Sequence, residues 1–160
     1  MRSPNAADRA FLQQAIQMAA ENVARGGGPF AALIVKDGVV LAAGANQVTQ
    51  THDPTAHAEI VAIREACRIL KDFQLAGCEI YSSCEPCPMC LGAIYWARPA
   101  RVFFAATRKD AAAAGFDDEL IYREIHVPPS HRTIPMFHLP DGSATRPFDE
   151  WRSKSDKISY

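Results

Sequence analysis

The run Pro86-Cys87-Pro88-Met89-Cys90 constrains this chain more than any other stretch, because it gains a meaning together with His57-Ala58-Glu59 earlier in the sequence. Cys87 and Cys90 stand at i, i+3, a spacing that puts both sulfurs on one face of a helix. Pro88 suits the first position of that helix, where its missing N–H would have had no partner. His57 opens a second helix. Two thiolates and an imidazole make three zinc-type donors, so the fold has to bring two helix starts, separated in sequence by a strand, to one point. Three protein ligands leave the fourth tetrahedral position open to water, the mark of a catalytic rather than a structural zinc site. Cys84 is the nearest candidate for a fourth ligand and reads instead as the residue ending a strand. The partial positive charge of a helix N-terminus favours deprotonated sulfur. Two thiolates acidify a water less than an all-histidine set does, so a neighbouring base is needed, and Glu59 stands two residues past the histidine. Taken singly these residues have plainer readings: a cap, a dipole-complementing carboxylate, a redox pair or half of a structural zinc site.

The rest of the chain supplies the scaffold. Phe11, Leu12, Ala15, Ile16, Ala19 and Val23 recur at helical spacing over residues 8–25, and Gly26-Gly27-Gly28-Pro29 ends that helix. The glycines precede a strand and do not open a helix, so they read as a hinge and not as a phosphate cradle. Residues 30–36 and 39–45 are apolar and flank Asp37-Gly38, a hairpin signal. Residues 46–53 read as a loop, and Thr55 as the cap of a helix over 56–70 in which Ile60, Ile63, Cys67 and Leu70 repeat. A strand at 78–83, a helix at 88–97 and a strand at 101–106 follow, then helices at 118–125 and 147–157 around a proline-rich stretch without a period. Trp96 reads as interior packing. Alternating strands and helices predict an α/β layered fold with a mixed sheet. The hairpin pair runs antiparallel, and strands joined by crossover helices run parallel.

Bulk properties narrow the function. A chain of 160 residues fits one domain, and 48% of them are apolar or aromatic, enough for a real core. No apolar run reaches the ~20 residues of a membrane span, and Met1 to Asp8 lack the layout of a secretory signal, so a cytoplasmic enzyme is expected. With 17 basic and 18 acidic residues, and with Arg146, Arg152, Lys154 and Lys157 nearly cancelled by Asp149, Glu150 and Asp156, a small ligand is favoured over nucleic acid. Five cysteines grouped around one Cys-x-x-Cys do not look like a disulfide framework, and Cys67 and Cys78 sit among apolar neighbours as core residues.

His-x-Glu followed by Pro-Cys-x-x-Cys is the signature of zinc-dependent base deaminases. With GGPFAALIVKDG at 27–38, DPTAHAE at 53–59, SCEPCPMCLGAIYWARP at 83–99, AGFDDELIY at 114–122 and the terminal Tyr160, the chain resembles the cytidine-deaminase-like zinc hydrolase superfamily. Within it, Gly-Phe-Asp-Asp and the final tyrosine make it most similar to the bacterial guanine deaminases. That resemblance implies a three-layer α/β/α fold on a mixed five-stranded sheet, one Zn²⁺ per chain on His57, Cys87 and Cys90, and Glu59 as the catalytic proton carrier. It implies that Phe30 stacks on the base, Asn46 bonds the ring, Asp118 accepts ring N–H groups and Tyr160 closes the pocket. It also implies a homodimer in which residues 147–160, the last helix and tail of a single domain spanning 1–160, are exchanged between subunits.

The residues leave other readings open. Phe30 also reads as the first core residue of its strand, Asn46 as a turn residue and Tyr160 as a terminal residue. Asp118 reads also as a helix cap, with Asp117 its rival. The expected reaction is conversion of guanine to xanthine and ammonia. Its alternatives are a tRNA adenosine deaminase, a deaminase of another aminated heterocycle and, outside enzymes, a zinc-stabilised binding module.

Overall fold

A computed structural model describes residues 3–160. Asp37 and Gly38 both take positive φ, 52° and 76°, as a two-residue type I′ hairpin turn requires. They join β1 (Ala31–Lys36) to β2 (Val39–Ala45), antiparallel, with Lys36 opposite Val39 and a bulge between Ile34 and Val35. On its other edge β1 pairs antiparallel with β3 (Cys78–Cys84), and β3 pairs in parallel with β4 (Arg101–Ala106), giving the order β2-β1-β3-β4. Strands β2, β3 and β4 therefore point one way and β1 alone points back. Each helix-containing crossover joins strands of like direction, as the sequence predicts.

The pleat sends alternate residues of β1 to opposite faces. On one face Ala32 and Ile34 join Ala58, Ala62 and Ala66 of α3 (Ala58–Leu70) and Ile94 and Ala97 of α4 (Pro88–Ala97). On the other, Leu33, Val35 and Tyr81 pack with Phe11, Leu12 and Ala15 of α1 (Ala6–Ala24). The result is a layer of helix on each side of a mixed sheet. The alanines of α3 let its backbone lie close to the sheet. Gly44 of β2 meets it so closely that a Cβ there would fall 2.4 Å from the Ala58 carbonyl oxygen.

The structure departs from the sequence expectations at several points. Among the described residues the sheet has four strands, not five. After β4 the chain forms α5 (Arg108–Ala113) and α6 (Glu119–Ile125), then a stretch carrying Pro128, Pro129, Pro135, Pro140 and Pro147. Residues without an N–H cannot sustain a ladder. Thr55 does not cap α3: its amide and hydroxyl both donate to Asp53 Oδ1, and His57 holds the cap position. The stripe on α1 is rotated, since Ile16 and Val23 are exposed while Asp8 and Asn22 are buried. Trp96 is likewise exposed, not interior. A short helix α2 (Val48–Thr51) occupies the expected loop.

The chain divides into two compact units, the second being Glu119–Tyr160. That unit contains α6, a 3-10 turn at Pro129–His131 and α7 (Arg146–Ser153). The side chain of Glu124 accepts from the Thr133 amide at 2.7 Å within it. None of the described helices is long and apolar enough to cross a membrane.

Candidate active site and metal centre

The carboxyl ends of β2, β3 and β4 and the amino ends of α3 and α4 meet at one edge of the sheet, where open α/β folds place their ligands. His57 is the N-cap residue of α3 and Cys87 the N-cap residue of α4, and neither side chain makes a capping bond. Both are turned to one another instead. His57 Nδ1 lies 3.5 Å from Cys87 Sγ and 3.6 Å from Cys90 Sγ. Bond lengths of ~2.3 Å to sulfur and ~2.0 Å to nitrogen set a sulfur and a nitrogen of one zinc tetrahedron about 3.5 Å apart. The three donors thus have the soft and borderline chemistry and the spacing of a zinc site, and they are the one such cluster among the described residues. Cys84 stands outside it, ending β3 with its thiol directed at the Thr107 carbonyl.

Electrostatics favour the same assignment. Cys87, accepting from the Cys90 thiol and then from His57, is pulled down to about 4. The same contact with Cys87, together with burial, pushes Cys90 up, since two adjacent sulfurs do not both ionise without a cation between them. Bonding to Cys87 raises His57. A divalent cation would resolve this contest by taking both sulfurs as thiolates.

Glu59, in the first turn of α3, is buried beside the trio. Its Oε1 accepts from Ser82 Oγ at 3.1 Å and its Oε2 from Cys90 Sγ at 3.4 Å. Burial raises its pKa, which makes the carboxylate a stronger base than one in water. Ser82, itself 2% exposed, went unread in the sequence. The available signal was a pair of hydroxyls, Ser82 and Ser83, inside an apolar central strand; a buried hydroxyl needs a partner. Ser83 Oγ finds its own in the Ala31 amide at 3.0 Å.

The remaining expected contacts distribute unevenly. Phe30 is half-buried at the entrance to β1, its ring edge-on to Phe116 at 5.0 Å. Asn46 follows β2 and is buried; its amide donates to the Phe30 carbonyl at 3.0 Å, and its Oδ1 accepts from the Val48 amide at 3.3 Å, so it also serves the turn into α2. Of the two adjacent aspartates, Asp118 is half-buried and Asp117 exposed. Burial and the nearby Cys87 sulfur hold Asp118 above the ordinary carboxylate range. Tyr160 ends the second unit with its ring exposed.

Fold and site together define a class: the chain belongs to the family of cytidine and deoxycytidylate deaminase zinc-binding regions, whose pattern matches residues 5–106. Among its relatives, the guanine deaminase of Bacillus subtilis is 55% identical over 151 residues, covering 94% of this chain and 97% of that one. A crystal structure of guanine deaminase from Bacillus subtilis superposes with a TM-score of 0.94 at 53% identity, covering 98% of this chain and 99% of the other. A guanine deaminase structure from Nitrosomonas europaea gives a TM-score of 0.67 at 35% identity over 73% of this chain and 68% of that one. The tRNA-specific adenosine deaminase of Aquifex aeolicus is 43% identical over 99 residues, 62% of this chain and 66% of that one.

Proposed function

We propose that this chain hydrolyses guanine to xanthine and ammonia, in a single catalytic domain of residues 1–160 with one zinc on His57, Cys87 and Cys90. The observation that carries the reading is the buried Glu59 carboxylate in contact with a three-donor metal cluster. Similarity to a guanine deaminase along nearly the whole chain selects guanine within that chemistry.

A zinc ion held by His57, Cys87 and Cys90 would supply Lewis acidity to a water molecule. Glu59 takes a proton from that water as its oxygen bonds to the ring carbon bearing the amino group. The carboxyl group passes this proton to a ring nitrogen. It then takes the remaining proton of the former water and delivers it to the departing amino group, and the carbon–nitrogen bond breaks to release ammonia. Ser82 holds one oxygen of the carboxylate so that the other faces the cluster. Phe30 stacks on the base, Asn46 donates to or accepts from its edge and Asp118 accepts its ring N–H groups. Tyr160 covers it, reaching the site of the partner in a homodimer that exchanges residues 147–160. The near-neutral charge suits a free base in the cytoplasm over a polyanion.

The test is ammonia release from guanine, adenine, cytosine, their nucleosides and tRNA, with Glu59→Gln as control. Guanine is expected as the preferred substrate. The amide variant should keep its zinc and lose roughly 10²–10⁴-fold in turnover, the usual contribution of such proton transfers. Efficient release from adenosine in tRNA, with none from guanine, would refute the substrate. Normal turnover in zinc-loaded Glu59→Gln would refute the proton carrier.

A further inference from the structure

Asn22 stands near the end of α1 and is 3% exposed, although it is a polar residue. Its Nδ2 donates at 2.8 Å to the Gly28 carbonyl and at 2.8 Å to the Asn46 carbonyl. Those oxygens belong to two different segments: the glycine turn that leads into β1, and the chain leaving β2. The Gly28 oxygen also accepts the Phe30 amide at 2.9 Å, and the Phe30 carbonyl accepts the Asn46 amide at 3.0 Å. One buried NH2 group therefore closes a ring of hydrogen bonds that fixes Phe30 and Asn46 relative to each other.

The glycines complete the arrangement. A Cβ on Gly27 would lie 2.3 Å from Asn22 Nδ2, and a Cβ on Gly28 would lie 2.8 Å from Asn46 Oδ1. The run at 26–28 is thus a seat for two amide side chains, which explains consecutive glycines where Gly26 alone has positive φ. Bridging two carbonyls calls for a nitrogen with two hydrogens, which a buried amide supplies without a charge; a hydroxyl has one hydrogen and a carboxylate would aim lone pairs at both oxygens.

We propose that Asn22 is the positioning residue of the base pocket, holding the ring-stacking Phe30 and the ring-bonding Asn46 at a fixed separation. The proposal rests on the assignment of Phe30 and Asn46 as guanine contacts. Asn22 touches neither the metal ligands nor Glu59 in any of these bonds, so its loss acts on base binding and leaves the metal in place.

The experiment measures guanine binding by calorimetry in the zinc-loaded, turnover-deficient Glu59→Gln protein, then with Asn22→Ala or Gly27→Ala added. Asn22→Ala removes both bonds. Gly27→Ala keeps every polar atom and displaces the amide by steric contact, so it serves where the first variant folds poorly. Each is expected to weaken guanine binding roughly tenfold, the scale of one displaced hydrogen bond, with zinc content unchanged. A lowered melting temperature accompanied by unaltered guanine affinity in the folded, zinc-loaded variants would overturn the proposal and leave Asn22 a structural residue. Failure of Glu59→Gln alone to bind guanine would instead fail the guanine assignment, and the positioning role with it.

Discussion

Replacing Gly44 with alanine tests whether the sheet sets the position of the catalytic helix. Gly44 sits opposite Ala32 in the ladder and has ordinary strand dihedrals, so the substitution is not a matter of backbone conformation. What matters is the approach of α3. The new Cβ would lie 2.4 Å from the Ala58 oxygen, 2.6 Å from the Ala62 nitrogen and 3.0 Å from Val61 Cβ. The first two are backbone atoms and cannot turn aside. Ordinary contact begins at 3.4 Å, so α3 has to retreat from β2 by about 1 Å. The pressure falls on Ala58, the residue between His57 and Glu59. A displacement of about 1 Å is half of a ~2.0 Å zinc–nitrogen bond. Overpacking of this kind costs about 1–3 kcal/mol, or roughly 3–10 °C in Tm for a chain of this size. Misplacement of the reacting groups adds on the order of 10²-fold in kcat/KM. Thermal unfolding, elemental analysis for zinc after dialysis, and ammonia release well below the melting temperature read the three effects separately. A Gly44→Ala protein with unchanged Tm, full zinc and unchanged turnover would refute the idea that this contact sets the helix.

Cys87→Ala and Cys90→Ala should each abolish tight zinc binding, and full zinc by elemental analysis in both would exclude the three-donor site. In metal-stripped protein Cys87 should stay a thiolate down to about pH 4, so its alkylation rate, followed by mass spectrometry, should barely change from neutral pH to pH 5. An ordinary thiol near ~8.5 slows about tenfold per pH unit over that range, and such slowing at Cys87 would contradict the contact with Cys90. The depressed folded-state pKa of Cys87 contributes stability that is complete above the unfolded value near ~8.5 and is lost as pH falls through about 4. Removing Ile158-Ser159-Tyr160 should lower guanine turnover on the order of 10²-fold with zinc retained. If the tail is exchanged, mixing with Glu59→Gln chains should restore activity, because one site of the mixed dimer then has both an intact Glu59 and an intact tail; unchanged kinetics after truncation would refute the role of Tyr160 in covering the base.

What the sequence disclosed and what it hid divide along one physical line. Features written in local spacing were legible: the Asp37-Gly38 turn, the bounds of α4 and β4, and the Cys87/Cys90 pair, because dihedral preference and helical periodicity act over a few residues; His57 joined that pair through the motif the two segments form together. Features that depend on what lies opposite were not. Nothing local marks Gly44 as a contact with α3, Ser82 as the partner of Glu59 or Asn22 as a link between two distant carbonyls. Thr55 had the stronger local claim to cap α3, but its hydroxyl is taken by Asp53, two residues away, and the cap position goes to His57, one of the three clustered donors. The fifth strand came from resemblance and not from any alternating pattern after β4.

That exchange at the helix starts has an evolutionary side. Positions 57 and 87 are N-cap positions, and the histidine and cysteine there give their helices no capping bond. A sequence selected for folding alone would carry Ser, Asn or Asp at both and gain about 0.5–2 kcal/mol at each. The catalytic site is therefore held against a downhill drift: Ser, Asn or Asp at either position removes the histidine or cysteine donor and makes the metal-free fold more durable. A collection of variants sorted for thermal stability in the presence of a chelator would lose the chemistry first at the places where the fold gains most.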